Sequence, residues 1–188
     1  MQGMDGHLSR VLFDAATIER RVAELGQEIS RDYAGRPLYL VVILNGAFMF
    51  CADLIRHLDL DVQVGFMVVS SYGESTKTSG TVRIVKDLQR DISGCDILFV
   101  EDIVDTGLTI AHLSKLLSVR NPRSLKTCAL LNKASCRRVD IPVDYVGFEI
   151  PNEFVVGYGL DYDQRYRQLP CVGVLNPAHI KKAHGGEQ

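Results

Sequence analysis

Residues 97–110 read Ile-Leu-Phe-Val-Glu-Asp-Ile-Val-Asp-Thr-Gly-Leu-Thr-Ile, or ILFVEDIVDTGLTI. The apolar run Ile97 to Val100 predicts a short buried strand. It enters an acidic turn, Glu101 to Gly107, and a helix follows from about Thr109 to Leu117. Each part has a chemical use. The first N–H groups of a helix lack intrahelical partners and carry partial positive charge, so they bind phosphate. Gly107 permits close backbone approach, and Thr106 and Thr109 add hydroxyl donors. The carboxylates Glu101 and Asp102 suit vicinal sugar hydroxyls or a hard cation. An isolated Asp-Thr-Gly is read more economically as a capped helix start beside a solvated loop. The full string of strand, two acids, two apolar residues and D-T-G-x-T is longer and more specific.

Outward from this string, strands and helices alternate. Ile18, Val22, Leu25 and Ile29 recur at helical spacing between Thr17 and Tyr33. Leu38 to Leu44 is a strand buried on both faces, turned by Asn45-Gly46 into a helix from Ala47 to His57. Further strands are expected at Val62–Ser70, Val82–Val85, Leu125–Leu131 and Val143–Phe148, with short apolar segments at Phe154–Val156 and Cys171–Leu175. Such alternation predicts βαβ units, a mostly parallel sheet and helices on both faces. Ligands of such sheets sit beyond the carboxyl ends of the strands. The loops after Leu44, Ser70, Val100 and Leu131 therefore share one edge. Ser71 to Thr81, SYGESTKTSGT, is polar and glycine-containing and predicts a long mobile loop.

Composition narrows the function classes. With 188 residues, 46% apolar, the chain fits one globular domain. Its 21 Lys+Arg against 23 Asp+Glu give no basic excess for a dedicated nucleic-acid binder. Met1 to Arg10 has no apolar core, and Tyr39 to Ile55 is interrupted by Asn45, Gly46 and Asp53. No secretory signal, membrane span or nucleic-acid partner is expected, and the expected compartment is cytoplasmic. Cys51, Cys95, Cys128, Cys136 and Cys171 are widely spaced, which predicts neither a disulfide framework nor a zinc site.

The 97–110 string resembles the phosphoribosyl diphosphate (PRPP) signature of type I phosphoribosyltransferases. Other segments align with it. Leu44-Asn45-Gly46-Ala47 looks like the family's pyrophosphate loop, Ser71-Tyr72 like the start of its active-site loop, and Leu131-Asn132-Lys133 like the strand end with a purine-recognising lysine. Val146 to Tyr162, VGFEIPNEFVVGYGLDY, is similar to the purine-pocket segment of hypoxanthine-guanine phosphoribosyltransferases. The resemblance runs from about Leu38 to Leu175. It implies an α/β type I phosphoribosyltransferase fold: a central parallel five-stranded sheet flanked by helices, under a small hood. The hood comes from the N-terminal residues and about 150–188 of one domain, 1–188.

The resemblance also implies purine salvage: PRPP plus hypoxanthine or guanine gives IMP or GMP and diphosphate, with Mg2+. Asp105 matches the family's general acid/base. Glu101 and Asp102 match the ribose and metal carboxylates, and Asp105, Thr106, Gly107, Leu108 and Thr109 the 5′-phosphate loop. Asn45, Gly46, Ser71, Tyr72 and Arg167 match the diphosphate site. Lys133, Phe154, Val155 and Asp161 match the base pocket, with Asp161 also near a metal. The loop from Ser71 becomes a lid that excludes water. The family implies a homodimer or homotetramer.

Departures are visible. Many relatives have Lys where this chain has Asn45, and some have Lys at Leu108. In some relatives the bond before the residue at Asn45 is a cis peptide. A nucleotide-sensing regulator on the same fold, and a sister enzyme for xanthine or a pyrimidine, share parts of the string. No added DNA-binding segment accompanies it here, and Lys133 with the Phe154–Tyr162 segment favours a 6-oxopurine.

Overall fold

The computed structural model describes residues 6–71 and 82–180. Tyr72 and the rest of the expected lid up to Thr81 lie outside the described residues.

The elements in chain order are β1 (Leu8–Phe13), α1 (Ala15–Asp32), β2 (Leu38–Leu44), α2 (Phe48–Leu54), β3 (Val62–Ser71), β4 (Val82–Lys86), β5 (Asp96–Val104), α3 (Leu108–Ser118), β6 (Ser124–Asn132), β7 (Tyr145–Glu149), β8 (Val155–Val156) and β9 (Val172–Leu175). α1 begins where the Asp14 carboxylate accepts from the Thr17 N–H at 2.8 Å, an ordinary N-cap. Its predicted stripe of Ile18, Val22, Leu25 and Ile29 is buried. Full burial of each such side chain contributes about 1.5–3 kcal/mol.

The main sheet has the order β4-β3-β2-β5-β6-β7. Five strands, β3, β2, β5, β6 and β7, run parallel, as expected. The expected five-stranded sheet is extended by a sixth strand, β4, antiparallel to β3. Alternation along the central strands sorts their side chains between two cores. Leu38, Leu40, Val42, Leu98 and Val100 pack against α1 and α2, whereas Tyr39, Val41, Ile43, Ile97 and Phe99 pack against α3. Helices therefore cover both faces.

A second, three-stranded sheet has the order β1-β9-β8, with antiparallel pairing throughout. It joins the start of the chain to the segment after Ile150. β1 is an element that the sequence pattern did not predict. Two boundaries also differ. The acidic turn expected from Glu101 is strand as far as Val104, and the helix expected to His57 ends at Leu54 and continues as a single 3-10 turn. Among the described residues, no helix is long and apolar enough to cross a membrane. All five cysteines are free, with Cys51 and Cys128 buried.

Candidate active site

The carboxyl ends of β2, β5 and β6 bring the predicted segments to one edge. β5 remains in register with β6 past the acids, with Glu101 opposite Ala129 and Val104 opposite Asn132. The ladder thus fixes Glu101 and Asp102 through backbone hydrogen bonds. Glu101 is 8% exposed, and its Oε2 has no hydrogen-bond partner among the described residues. Burial, with the Asp102 charge beside it, pushes its carboxyl well above the usual range. Burial also pushes the Asp102 carboxyl up to about 6, opposed by the Ile103 N–H on Oδ1 at 2.8 Å and by Arg167. Two carboxyl groups adjacent in sequence, with Glu101 Oε2 unpartnered, form an acidic centre.

Three backbone pieces surround it. The Leu44–Asn45 peptide is cis. Gly46 lies so close to Asp102 that a Cβ there would overlap the carboxylate. On the other side of Gly46 sits Gly159, whose own Cβ would overlap the Gly46 carbonyl oxygen. Asp102, Gly46 and Gly159 therefore stack as a seam closed to side chains. The hairpin bearing Gly159 is tied to α2, since the Tyr158 hydroxyl donates to Asp53 Oδ2 at 2.6 Å.

Asp161 and Arg167 belong to the same hairpin. Arg167 donates to the Gly159 carbonyl at 2.8 Å and to Gln164 Oε1 at 3.1 Å, and pairs with Asp161 at 3.0 Å. The guanidinium expected at a diphosphate is therefore engaged within the hairpin.

The strand-to-helix loop differs from the capping expected of an isolated Asp-Thr-Gly. The N-cap of α3 is Gly107 at φ +80°, with no side-chain cap. Thr106 Oγ1 accepts from the Leu108 N–H at 3.4 Å. Asp105, Thr106, Gly107 and Thr109, with Glu101, line a concavity of about 90 Å³. Lys133 is only 7% exposed, and its ammonium lies 3.9 Å from Asp105 Oδ2. This is an unusual place for a lysine that only carries surface charge. Phe154, 47% exposed, meets Tyr162 edge-on at 5.7 Å between centroids, while Val155 is buried in β8.

A further set of bonds ties the end of β6 to this loop. Asn132 donates to Glu149 Oε1 at 2.7 Å and accepts from Arg137, whose other Nη donates to the Asp105 carbonyl at 2.9 Å. Asn132 and Glu149 stand at the ends of adjacent parallel strands, a usable signal. Gly159 and the Tyr158–Asp53 pair had no comparable signal in the sequence.

The mostly parallel sheet, the strand-to-helix loop and the adjacent acids Glu101 and Asp102 at the strand ends define an α/β protein of the doubly covered, parallel-sheet class. A family profile described as "Phosphoribosyl transferase domain" matches residues 11–163. The chain belongs to the phosphoribosyl transferase family. It is 52% identical over 178 residues to the hypoxanthine-guanine phosphoribosyltransferase of Mycobacterium tuberculosis, covering 92% of this chain and 88% of that one. It is 50% identical over 169 residues to the hypoxanthine phosphoribosyltransferase of Salmonella typhimurium, covering 89% and 95%. The crystal structure of a Staphylococcus aureus hypoxanthine phosphoribosyltransferase superposes with a TM-score of 0.90 at 44% identity, covering 93% of this chain and 95% of that one.

Proposed function

We propose that the protein transfers the 5-phosphoribosyl group of PRPP to N9 of hypoxanthine or guanine, giving IMP or GMP and diphosphate in purine salvage. The observation that carries this reading is the buried Lys133 ammonium 3.9 Å from Asp105, the first residue of the Asp105–Thr109 loop. One cationic donor and one carboxylate face a position next to a phosphate cradle. A 6-oxopurine offers O6 to the ammonium and the N7 proton to the carboxylate. Adenine offers an amino group where the lysine requires an acceptor, so it is disfavoured.

In the reaction, the C1–N9 bond forms as the C1–O bond breaks. The electron pair leaves with the diphosphate, and Asp105 takes the proton from N7. Phe154 supplies a stacking face, and the Val155 and Asp161 backbones accept from the base. Glu101 and Asp102 receive the ribose hydroxyls. The Asn45-Gly46 backbone, Arg167, Ser71 and Tyr72 receive the diphosphate, and the 105–109 loop, Leu108 included, holds the 5′-phosphate.

The acidic centre fits Mg2+. The orphaned Glu101 Oε2 beside Asp102 is an oxygen donor set short of positive charge. Among the described residues, no three His, Cys, Asp or Glu converge as a ready metal cage. Mg2+ keeps waters and is commonly held by one or two carboxylates plus substrate oxygens. Glu101 and Asp102 are the residues that would hold it, with Asp161 reaching a metal only through substrate oxygens or water. Bound there, Mg2+ would neutralise the charge that develops on the departing diphosphate.

The reading extends to one domain over 1–188 with a hood over the base, a cytoplasmic protein, and a homodimer or homotetramer. A spectrophotometric assay with PRPP and Mg2+ tests the activity, with hypoxanthine, guanine, xanthine, adenine or uracil supplied in turn. Product is expected from hypoxanthine or guanine, and none from adenine or uracil. Failure with both 6-oxopurines would refute the assignment. Adding Mg2+ and PRPP together should raise Tm more than either alone.

A further inference from the structure

Three consecutive carbonyls at the β5–α3 junction are taken up by one neighbouring segment. The Lys133 N–H donates to the Val104 carbonyl at 2.9 Å, the Arg138 N–H to the Thr106 carbonyl at 3.0 Å, and between them Arg137 Nη1 donates to the Asp105 carbonyl at 2.9 Å. In a trans peptide, the C=O and N–H point in opposite directions. Turning the carbonyls of 104–106 toward residues 133–138 therefore turns the N–H groups of 105–107 the other way, toward the concavity lined by Asp105, Thr106, Gly107 and Thr109. Among the described residues, the Thr106 and Gly107 N–H groups find no backbone acceptor. Successive N–H groups gathered on one side make an anion-binding concavity.

Of the three donors, only Arg137 uses its side chain. Its other Nη donates to Asn132 Oδ1, and Asn132 is held in turn by Glu149. The aliphatic part of Arg137 lies under Gly107, where an added Cβ would come within 3.0 Å of its Cδ. The planar fork thus spans the loop and the end of β6, a reach that a lysine ammonium does not reproduce.

We infer that Arg137, anchored through Asn132 and Glu149, is a positioning residue that presents the backbone N–H groups of the 105–109 loop to the 5′-phosphate. The inference rests on the transferase reading above and goes beyond it, because the guanidinium of Arg137 is spent on the Asp105 carbonyl and Asn132.

The test uses the full chain with Arg137→Ala, Arg137→Lys and Asn132→Ala. Binding of ribose 5-phosphate is followed by calorimetry, with KM for PRPP and for hypoxanthine alongside. Losing a hydrogen bond made by a charged group predicts about ten-fold or more weaker ribose 5-phosphate binding in Arg137→Ala, with a matching rise in KM for PRPP. KM for hypoxanthine should stay within about three-fold, since the base contacts are untouched. Arg137→Lys should fall between wild type and alanine, because one of two bonds can be remade. If the alanine variant does not fold, the lysine variant decides, and binding equal to wild type overturns the inference. Asn132→Ala should show the same signature more weakly, and the Arg137–Asn132 double variant should be less impaired than the product of the singles. A folded Arg137→Ala that binds ribose 5-phosphate within two-fold of wild type also overturns the inference, as does an equal loss for hypoxanthine. A wild-type protein that makes no IMP or GMP would refute the transferase reading instead. Ribose 5-phosphate binding reports on the loop in either case.

Discussion

Gly159→Ala attacks the seam at its least forgiving point. Gly159 has φ +100°, a conformation that an L-side chain rarely adopts. A methyl there would also overlap the Gly46 carbonyl oxygen, which is backbone and has no rotamer to change. The conformational strain alone is about 1–3 kcal/mol. At about 2 kcal/mol, Tm should fall by about 4–8 °C in a chain of this size. The overlap adds a functional cost. Restoring ordinary contact requires the Asn45-Gly46 loop and the hairpin to part by about 1 Å, and a misplacement of that size near reacting groups can cost about 100-fold in rate. The expected outcome is a folded protein with kcat/KM for PRPP reduced about 100-fold. Gly35→Ala is the control. Gly35 has φ +73° with nothing within 4 Å of an added Cβ, so it should carry backbone strain but keep full activity. Thermal denaturation and steady-state assays of both variants decide the matter. A Gly159→Ala protein with wild-type Tm and kcat/KM would refute the seam, and equal activity loss in Gly35→Ala would assign the effect to general destabilisation.

Asp105→Asn keeps the shape but removes the proton acceptor, so kcat should fall by about 100-fold or more while PRPP binding changes little; a parallel loss of both would make Asp105 a binding residue. Lys133→Ala should weaken base binding and relax discrimination against adenine, read as competitive inhibition by adenine; an unchanged base preference would remove its proposed role. Tyr158→Phe deletes the 2.6 Å hydrogen bond to Asp53 and should cost about 1–2 kcal/mol in a denaturation experiment. Its activity loss should be smaller than that of Gly159→Ala, because the hairpin loosens without being pushed against Gly46.

The sequence made the sheet legible where burial sets the pattern. β2 is apolar throughout because both its faces are covered, and Ile18, Val22, Leu25 and Ile29 declare one side of α1. The reach of β5 was less legible. Glu101 and Asp102 read as a turn because charges normally face solvent, but pairing with β6 depends on the backbone and continues to Val104. β1 was illegible for another reason. Leu8–Phe13 carries little internal pattern, with several residues exposed, and its partner β9 is distant in sequence. At the site, residues whose chemistry is in their side chains, such as Asp105 and Lys133, could be named in advance. Gly159 could not, because its contribution is the absence of a side chain at one close approach. The grip of Arg137 on the Asp105 carbonyl was not legible either, because it depends on how the chain turns after β6.

The pairing of β1 with β9 also has a temporal consequence. Ser9 Oγ reaches the Val174 carbonyl across 165 residues of sequence. During synthesis the first strand emerges from the ribosome and must wait for its partner, whose Val174 lies 165 residues after Ser9. The parallel strands through β7 have all their neighbours by Glu149, so the main sheet can settle before β9 is made. The small sheet is completed only once β9 has been made. A nascent protein arrested before β9 would thus hold a formed main sheet and a first strand without its partner.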